Sequence, residues 1–325
     1  MLNFLAITIA LFTAFFQFAC GGWPQHSLVE YLEAGPRNNF SKAFIKSRFA
    51  PEPVVAGVKI EDKKPIKKVE AQDFMLAASS GLALDLNYNF YLFEKDADNQ
   101  QPIASISKLM AALVFLDHNP GWNKWYTISE DDKRDGNKLN FFPDEQVLVR
   151  DLFYSALVAS DNSAIISLAR STGLKESEFV DLMNSKAKAL SMDKTNFVEP
   201  TGLSDNNIST ARDVAKLVRA AMTDLDIKRA VLADKYNLQV LKNNKSVSRT
   251  IKNTDELLGA TDLGAELIGG KTGYLNKAGY CFTGCFDKNN QEIITVVLGA
   301  DTVGSRFLET KRLLDWVFNN YSWPN

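Results

Sequence analysis

Histidine is scarce in this chain: there are two among 325 residues, His26 and His118. A Ser-His-Asp hydrolase would need one of them, and neither stands in a context that suggests it. Cysteine is nearly as rare, and three residues (Cys20, Cys281, Cys285) cannot build a disulfide framework. Cys281 and Cys285 fall in a stretch that reads as one strand, which separates their Cα atoms by roughly 13 Å. That is beyond the reach of a bridge, so they read as packed thiols. Without a Cys/His cluster no zinc site is expected, and no other metal or cofactor is implied. Charge of one sign is also missing. A net charge of −2 gives no electrostatic reason to expect a nucleic-acid partner. No Lys or Arg occurs before Arg37.

What the N-terminus does have is an apolar run. Residues 2–19 contain no charged side chain, too long and too apolar for an ordinary surface helix. Residues 1–22 therefore read as a signal peptide or membrane anchor, and the remainder as exported. The run lacks the basic flank of a secretory signal. Cys20 invites a lipidation reading, but Gln17 stands where such signals carry leucine. Residues 23–70 follow as a linker, broken by Pro24, Pro36, Pro51, Pro53 and Pro65. A basic cluster at Lys63, Lys64, Lys67 and Lys68 fits a solvated tether.

From residue 71 to 325 the pattern turns globular, in keeping with 46% hydrophobic and 23% charged residues. Met75–Leu86 and Phe90–Glu94 read as a strand pair. Helices are expected at 105–116, 147–158, 162–170, 175–190 and 211–222, the last opened by a Thr210/Asp213 capping box. Two strands follow, Gly279–Phe286 and Glu292–Leu298, joined by the turn 287–290, and a helix over Arg306–Phe318. This order suggests one α/β domain, an antiparallel sheet with a helical region inserted between its early and late strands.

Three short strings carry the chemistry. In Ser105-Ile106-Ser107-Lys108 the outer side chains share one helix face. A serine hydroxyl needs a base to become a nucleophile. Lys108 can serve if it is neutral, which requires burial or a neighbouring cation, and Lys271 is the natural second cation. Ser160-Asp161-Asn162 lies between two expected helices. Its hydroxyl could relay a proton and its amide bind a carbonyl, although each residue is also a good helix cap. Lys271-Thr272-Gly273, followed by Tyr274, offers an ammonium and a hydroxyl to a carboxylate. Gly273 allows a substrate backbone to approach an edge strand. Each string alone is weak; their joint occurrence in this order is not.

The stretches around these strings resemble D-alanyl-D-alanine carboxypeptidases, the low-molecular-mass penicillin-binding proteins. The likeness runs through 102–110, 181–187, 195–203, 209–215, 270–279 and 313–316. It implies the β-lactamase/transpeptidase-like fold and an acyl-enzyme on Ser105 with Lys108 as base. It further implies proton relay by Ser160 and substrate binding by Asn162, Lys271, Thr272, Gly273 and Tyr274. An oxyanion hole would come from the backbone N–H groups of Ser105 and Tyr274. Peptidoglycan stem peptides are the implied substrate and β-lactams the implied covalent inhibitors, with the membrane engaged through the N-terminal segment.

Departures stand out. Asp161 replaces a usual small residue, so the string reads as it does in class A β-lactamases. Asn207 and Ile208 stand where the family often has histidine. The chain ends soon after the last helix, where many relatives continue into a β-domain and an amphipathic helix. The main expectation is a serine D-Ala-D-Ala carboxypeptidase. A D,D-endopeptidase acting on cross-links uses the same residues. A β-lactamase would need a deacylating glutamate. Glu199 is the one to consider, but Gly202 and Leu203 occupy the places of the required Leu-Asn, so Glu199 reads as a loop residue. A non-catalytic wall-binding or β-lactam-sensing domain is the remaining alternative.

Overall fold

Alternation of apolar side chains builds the central sheet. In the computed structural model, which describes residues 64–324 apart from 72, 135, 137–139 and 244, Leu82, Leu84, Cys281, Cys285, Ile294 and Val296 face one core. Their neighbours Ala83, Phe282, Phe286 and Ile293 face a second. Period-two burial on both sides marks a sheet covered by helices on each face. The N-terminal apolar run, Cys20 and most of the tether lie outside the described residues. Among the described residues, no helix is long and apolar enough to cross a membrane.

The elements in order are β1 (Ile66–Lys67), β2 (Ser80–Asp85), β3 (Phe90–Lys95), β4 (Gln101–Pro102), α1 (Ser107–Asp117), β5 (Trp125–Thr127), β6 (Gln146–Leu148), α2 (Val149–Val158), α3 (Asn162–Ser171) and α4 (Glu176–Ala189). Then come β7 (Ile208–Ser209), α5 (Ala211–Met222), α6 (Leu225–Val231), β8 (Lys235–Lys242), β9 (Lys245–Lys252), β10 (Glu266–Leu275), β11 (Gly279–Lys288), β12 (Gln291–Ala300), α7 (Val303–Asn320) and β13 (Tyr321–Ser322). The central sheet has the order β10-β11-β12-β2-β3, antiparallel throughout. The chain's early and late strands therefore meet through β12 and β2, and the helical region lies between them in sequence, as expected.

Local chemistry sets the element ends. The Thr210 hydroxyl accepts from the Asp213 N–H at 3.1 Å and starts α5. The Asp213 carboxylate does not complete the capping box; it accepts from the Lys194 N–H and the Thr195 hydroxyl instead. Helix α7 opens on a reciprocal Thr302/Ser305 box. β11 ends two residues beyond the expected Phe286, and β12 begins one residue before Glu292 and ends two beyond Leu298. Their link is the pair Asn289-Asn290, with φ of 54° and 63°, the two-residue turn that asparagine tolerates and that suits a twisted hairpin. Helix α1 is buried on most sides, from Ser107 to Phe115, as befits a central helix. Phe115, Phe153 and Trp122 cluster beside it with ring centroids 5.1–5.7 Å apart. Phe115 and Phe153 are fully buried, which contributes roughly 1.5–3 kcal/mol for each.

β2 begins at Ser80, not at Met75, and two larger features also differ from the sequence reading. A second sheet, β5-β6-β8-β9, was not foreseen. Its β8–β9 hairpin buries only Leu238, Val240 and Ile251 among Lys, Asn, Gln and Ser, so its polar exterior masks the alternation. The folded region also begins upstream of residue 71. Ile66 and Lys67 pair with Ser322 and Tyr321, Lys68 Nζ donates to the Asn319 carbonyl at 2.7 Å, and Lys67 sits 5.3 Å over the Trp316 ring. Lys67 and Lys68 are thus docked on the fold rather than part of a free tether.

Candidate active site

Ser105 sits in a 3-10 turn, Ala104–Ile106, and the α-helix proper begins at Ser107. The sequence reading started the helix at Ser105. The tighter turn arises because Ala104 has a left-handed backbone, φ 48°, at a cost of roughly 1–2 kcal/mol for a residue with Cβ. Neighbouring backbone holds that conformation. A Cβ on Gly202 would lie 2.0 Å from the Ala104 carbonyl oxygen, and one on Gly273 would lie 2.9 Å from the Ile103 oxygen and 3.3 Å from Ser105 N. Two glycines from distant segments therefore close on the peptide units around the serine. Only residues without side chains allow that approach.

Lys108, one turn on, is fully buried. Its Nζ lies 3.0 Å from Ser105 Oγ, 2.7 Å from Asn162 Oδ1 and 2.6 Å from the Thr201 carbonyl oxygen. The amide and peptide oxygens only accept. A neutral amine has two N–H bonds and one lone pair. If the two oxygens take the N–H bonds, the lone pair is left for the Ser105 hydroxyl. Burial pushes the Lys108 pKa down to about 7, against the pull of Glu199 and Asp161. Of the two levers expected, burial and a neighbouring cation, burial acts first on Lys108. The like-charge effect appears on Lys271, held well below the ordinary lysine range by burial, then by Lys108 and Arg306.

Ser160 precedes α3 in a left-handed conformation, φ 55°. Its hydroxyl accepts from Lys271 Nζ at 2.9 Å. Asp161 is the N-cap of α3: its carboxylate accepts from Ala164 N at 2.9 Å and from Asn140 Nδ2 at 2.7 Å. Burial nonetheless raises its pKa. The unusual middle residue is therefore a cap.

The Lys271-Thr272-Gly273 segment lies in β10, the end strand of the central sheet, opposite Thr283, Phe282 and Cys281. Lys271 and Thr272 are buried. Tyr274 is 47% exposed and stacks on Tyr280 with centroids 4.2 Å apart. The three strings, remote in sequence, thus converge. Ser105, Lys108 and Asn162 are linked on one side, Ser160 and Lys271 on the other, and Gly273 passes against the serine turn.

Several site residues were not singled out from the sequence. The Thr254 hydroxyl lies 2.6 Å from that of Thr272. Arg306 of α7, buried, donates from Nη1 to the Gly273 carbonyl at 3.2 Å. Asp255, buried behind Gly270, has its pKa raised to about 6, by burial against hydrogen bonding from Leu257 and the charges of Lys271 and Arg306. Among the described residues, Asp255 Oδ2 and Arg306 Nε lack a hydrogen-bond partner. Thr201 contributes a peptide oxygen, which no side-chain motif advertises. Among the described residues, no group of His, Cys, Asp and Glu could hold a metal ion. Cys281 and Cys285 are buried and, among the described residues, unpaired, with thiol pKa values pushed up by burial to about 11 and about 12.

Comparison with known proteins shows the family. The sequence profile of D-alanyl-D-alanine carboxypeptidases matches residues 66–302. A D-alanyl-D-alanine endopeptidase of Escherichia coli is 33% identical over 244 residues, covering 74% of this chain and 77% of that protein. The D-alanyl-D-alanine carboxypeptidase DacF of Bacillus subtilis is 28% identical over 250 residues, covering 75% and 63%. Penicillin-binding protein D2 of Listeria monocytogenes, solved in its ampicillin-bound form, superposes with a TM-score of 0.66 at 28% identity, covering 76% of this chain and 99% of that one. The fold is that of the penicillin-binding DD-peptidases, and the chain belongs to the D-alanyl-D-alanine carboxypeptidase family of serine peptidases.

Proposed function

We propose that this protein is a D,D-carboxypeptidase that cleaves the terminal D-alanyl-D-alanine bond of peptidoglycan stem peptides through an acyl-enzyme on Ser105. The observation that carries this reading is the buried Lys108 amine, 3.0 Å from the Ser105 hydroxyl and anchored on two acceptors. Neutral Lys108 takes the Ser105 proton as Oγ bonds to the scissile carbonyl carbon. The developing oxyanion faces the backbone N–H groups of Ser105 and Tyr274, where each donor contributes ~2.7–4 kcal/mol to lowering the barrier. The C–N bond then breaks. Ser160, beside Lys271, relays a proton to the leaving nitrogen, and D-alanine departs as the free amine. Water adds to the ester carbon in the second half, and its proton returns to Ser105 Oγ. Lys271, Thr272 and Arg306 supply positive charge and a hydroxyl for the substrate carboxylate. Asn162 binds a substrate carbonyl, and the outer edge of β10 suits strand-like addition of the peptide.

The test is D-alanine release from a pentapeptide, with Ser105→Ala as the control. No release by the wild type, or equal release by the variant, overturns the reading. The E. coli endopeptidase is more similar to this chain than the B. subtilis carboxypeptidase, 33% against 28% identical, which favours a second reading: hydrolysis of D,D cross-links at the same site. Chromatography of digested cross-linked muropeptides separates the two, since a cross-link yields two monomers and a stem terminus yields free D-alanine. The β-lactamase reading loses its support, because both Glu199 oxygens bond the loop in which they lie. A peptidoglycan substrate implies an extracytoplasmic site of action. We assign residues 2–19 to export or anchoring in that compartment.

A further inference from the structure

The loop that meets Lys108 through the Thr201 carbonyl is organised by two residues to which the reaction assigns no role. Glu199 Oε2 accepts from Thr201 N at 2.6 Å and Thr201 Oγ1 at 2.5 Å. Its Oε1 accepts from Gly202 N at 2.7 Å, Ser204 N at 3.2 Å and Asn207 Nδ2 at 3.0 Å. Asn207, fully buried, returns the contact: its Oδ1 accepts from Val198 N at 2.8 Å, while its Nδ2 also donates to the Glu199 carbonyl at 2.8 Å and to Ser107 Oγ at 3.2 Å. One carboxylate and one amide therefore fold residues 198–204 into a fixed shape and tie that shape to the first turn of α1.

Two atoms of this shape reach the reacting groups. The Thr201 carbonyl accepts from Lys108 Nζ, and the Gly202 Cα closes on the Ala104 peptide. We propose that Glu199, held by Asn207, is a positioning residue that fixes the Thr201 carbonyl against Lys108 and so aims the Lys108 lone pair at Ser105. A glutamine cannot replace it. Its single oxygen serves one set of donors, and its NH2 group then faces the N–H groups of the other set. An aspartate keeps the charge but is one methylene too short to reach both ends.

The charge matters as well as the reach. Lys108 is faced by Glu199 from this loop, Asp161 from the start of α3 and Lys271 from β10, with Asp255 and Arg306 behind Lys271. Removing the Glu199 charge takes away an interaction that favours the ammonium. The limb of the acylation profile that rises with pH then moves to lower pH.

This inference rests on the assignment of Ser105 and Lys108 as nucleophile and base, so the experiment first reads the wild type. Full-length protein in detergent is mixed with a fluorescent penicillin across pH 5–10. Acylation is followed by stopped flow and by intact mass, with a thermal melt for each variant. Absence of a wild-type adduct on Ser105 would overturn the nucleophile assignment itself. Given an adduct, Glu199→Gln should acylate about 100-fold more slowly, the penalty of a displaced catalytic group, with its limb at lower pH. Glu199→Asp should be comparably slow with its limb unmoved. A Glu199→Gln protein with wild-type rate, or slow with an unmoved limb, rejects the proposal. If that variant does not fold, wild-type rate in Glu199→Asp rejects it equally.

Discussion

Gly202→Ala is the sharpest perturbation the structure offers, because it adds one methyl group where there is no room. At the native backbone the new Cβ would stand 2.0 Å from the Ala104 oxygen, 2.4 Å from its carbonyl carbon and 2.9 Å from Ser105 N. Relieving this contact requires a shift on the order of 1 Å of either the loop or the serine turn. A displacement of that size can cost ~10²-fold in rate. The φ of +83° at Gly202 adds a backbone penalty of roughly 1–2 kcal/mol for any residue with Cβ, or about 2–8 °C in melting temperature for a domain of this size. Gly173→Ala is the matched control. Its φ is +84° and nothing lies within 4 Å of the added Cβ, so it carries the backbone penalty without the collision. Both variants should melt at reduced temperatures, and Gly202→Ala below Gly173→Ala, because it alone carries the collision. Only Gly202→Ala should lose penicillin acylation, by about 100-fold. If Gly202→Ala acylates within a few-fold of wild type, the serine turn does not depend on that clamp and the account of Ala104 is wrong.

Other expectations follow from the same geometry. Ser160→Gly removes the hydroxyl beside Lys271 while easing the φ of 55°; acylation should fall by ~10²-fold or more with stability within about 1 kcal/mol of wild type, and an unchanged rate would remove Ser160 from the proton path. Lys108 is held at about 7 in the folded state against 10.5 ordinarily. Between those values the unfolded chain binds a proton that the folded chain does not, so this group makes stability increase with pH over that window. The melting temperature of the wild type should gain more between pH 7 and pH 9 than that of Lys108→Met, and equal gains would contradict a depressed amine. Glu145, buried, takes a bidentate pair from Arg249 of β9 at 2.6 Å for each bond. Glu145→Ala should cost about 2–3 kcal/mol in denaturant unfolding, below the range for a fully buried pair because Arg249 is part-exposed, and a loss under about 0.5 kcal/mol would show the pair to be a mere surface contact.

What could be read from the sequence separates cleanly by mechanism. Ser105 and Lys108 were legible because helical spacing puts them on one face, and α5 because Thr210 and the apolar positions after it state its start and its buried side. The β8–β9 hairpin was hidden by polar residues on its outer face. The start of the fold at Ile66 was hidden because two residues pairing with the far end of the chain leave no periodic trace. The site divides the same way. Side chains that act through their own functional groups appear as motifs. Thr201 acts through a peptide oxygen, Gly202 through the absence of a side chain, and Arg306 from a helix 33 positions beyond Gly273, so none of them has a local signature. Glu199 shows why a motif can also mislead. Beside Pro200 it looks like a base waiting for water, yet its carboxylate accepts five hydrogen bonds from its own loop and from Asn207. A carboxylate so fully engaged is poorly placed to take a proton from water, and that engagement, more than the spacing of any string, separates a peptidase site from one that turns over its penicilloyl adduct rapidly.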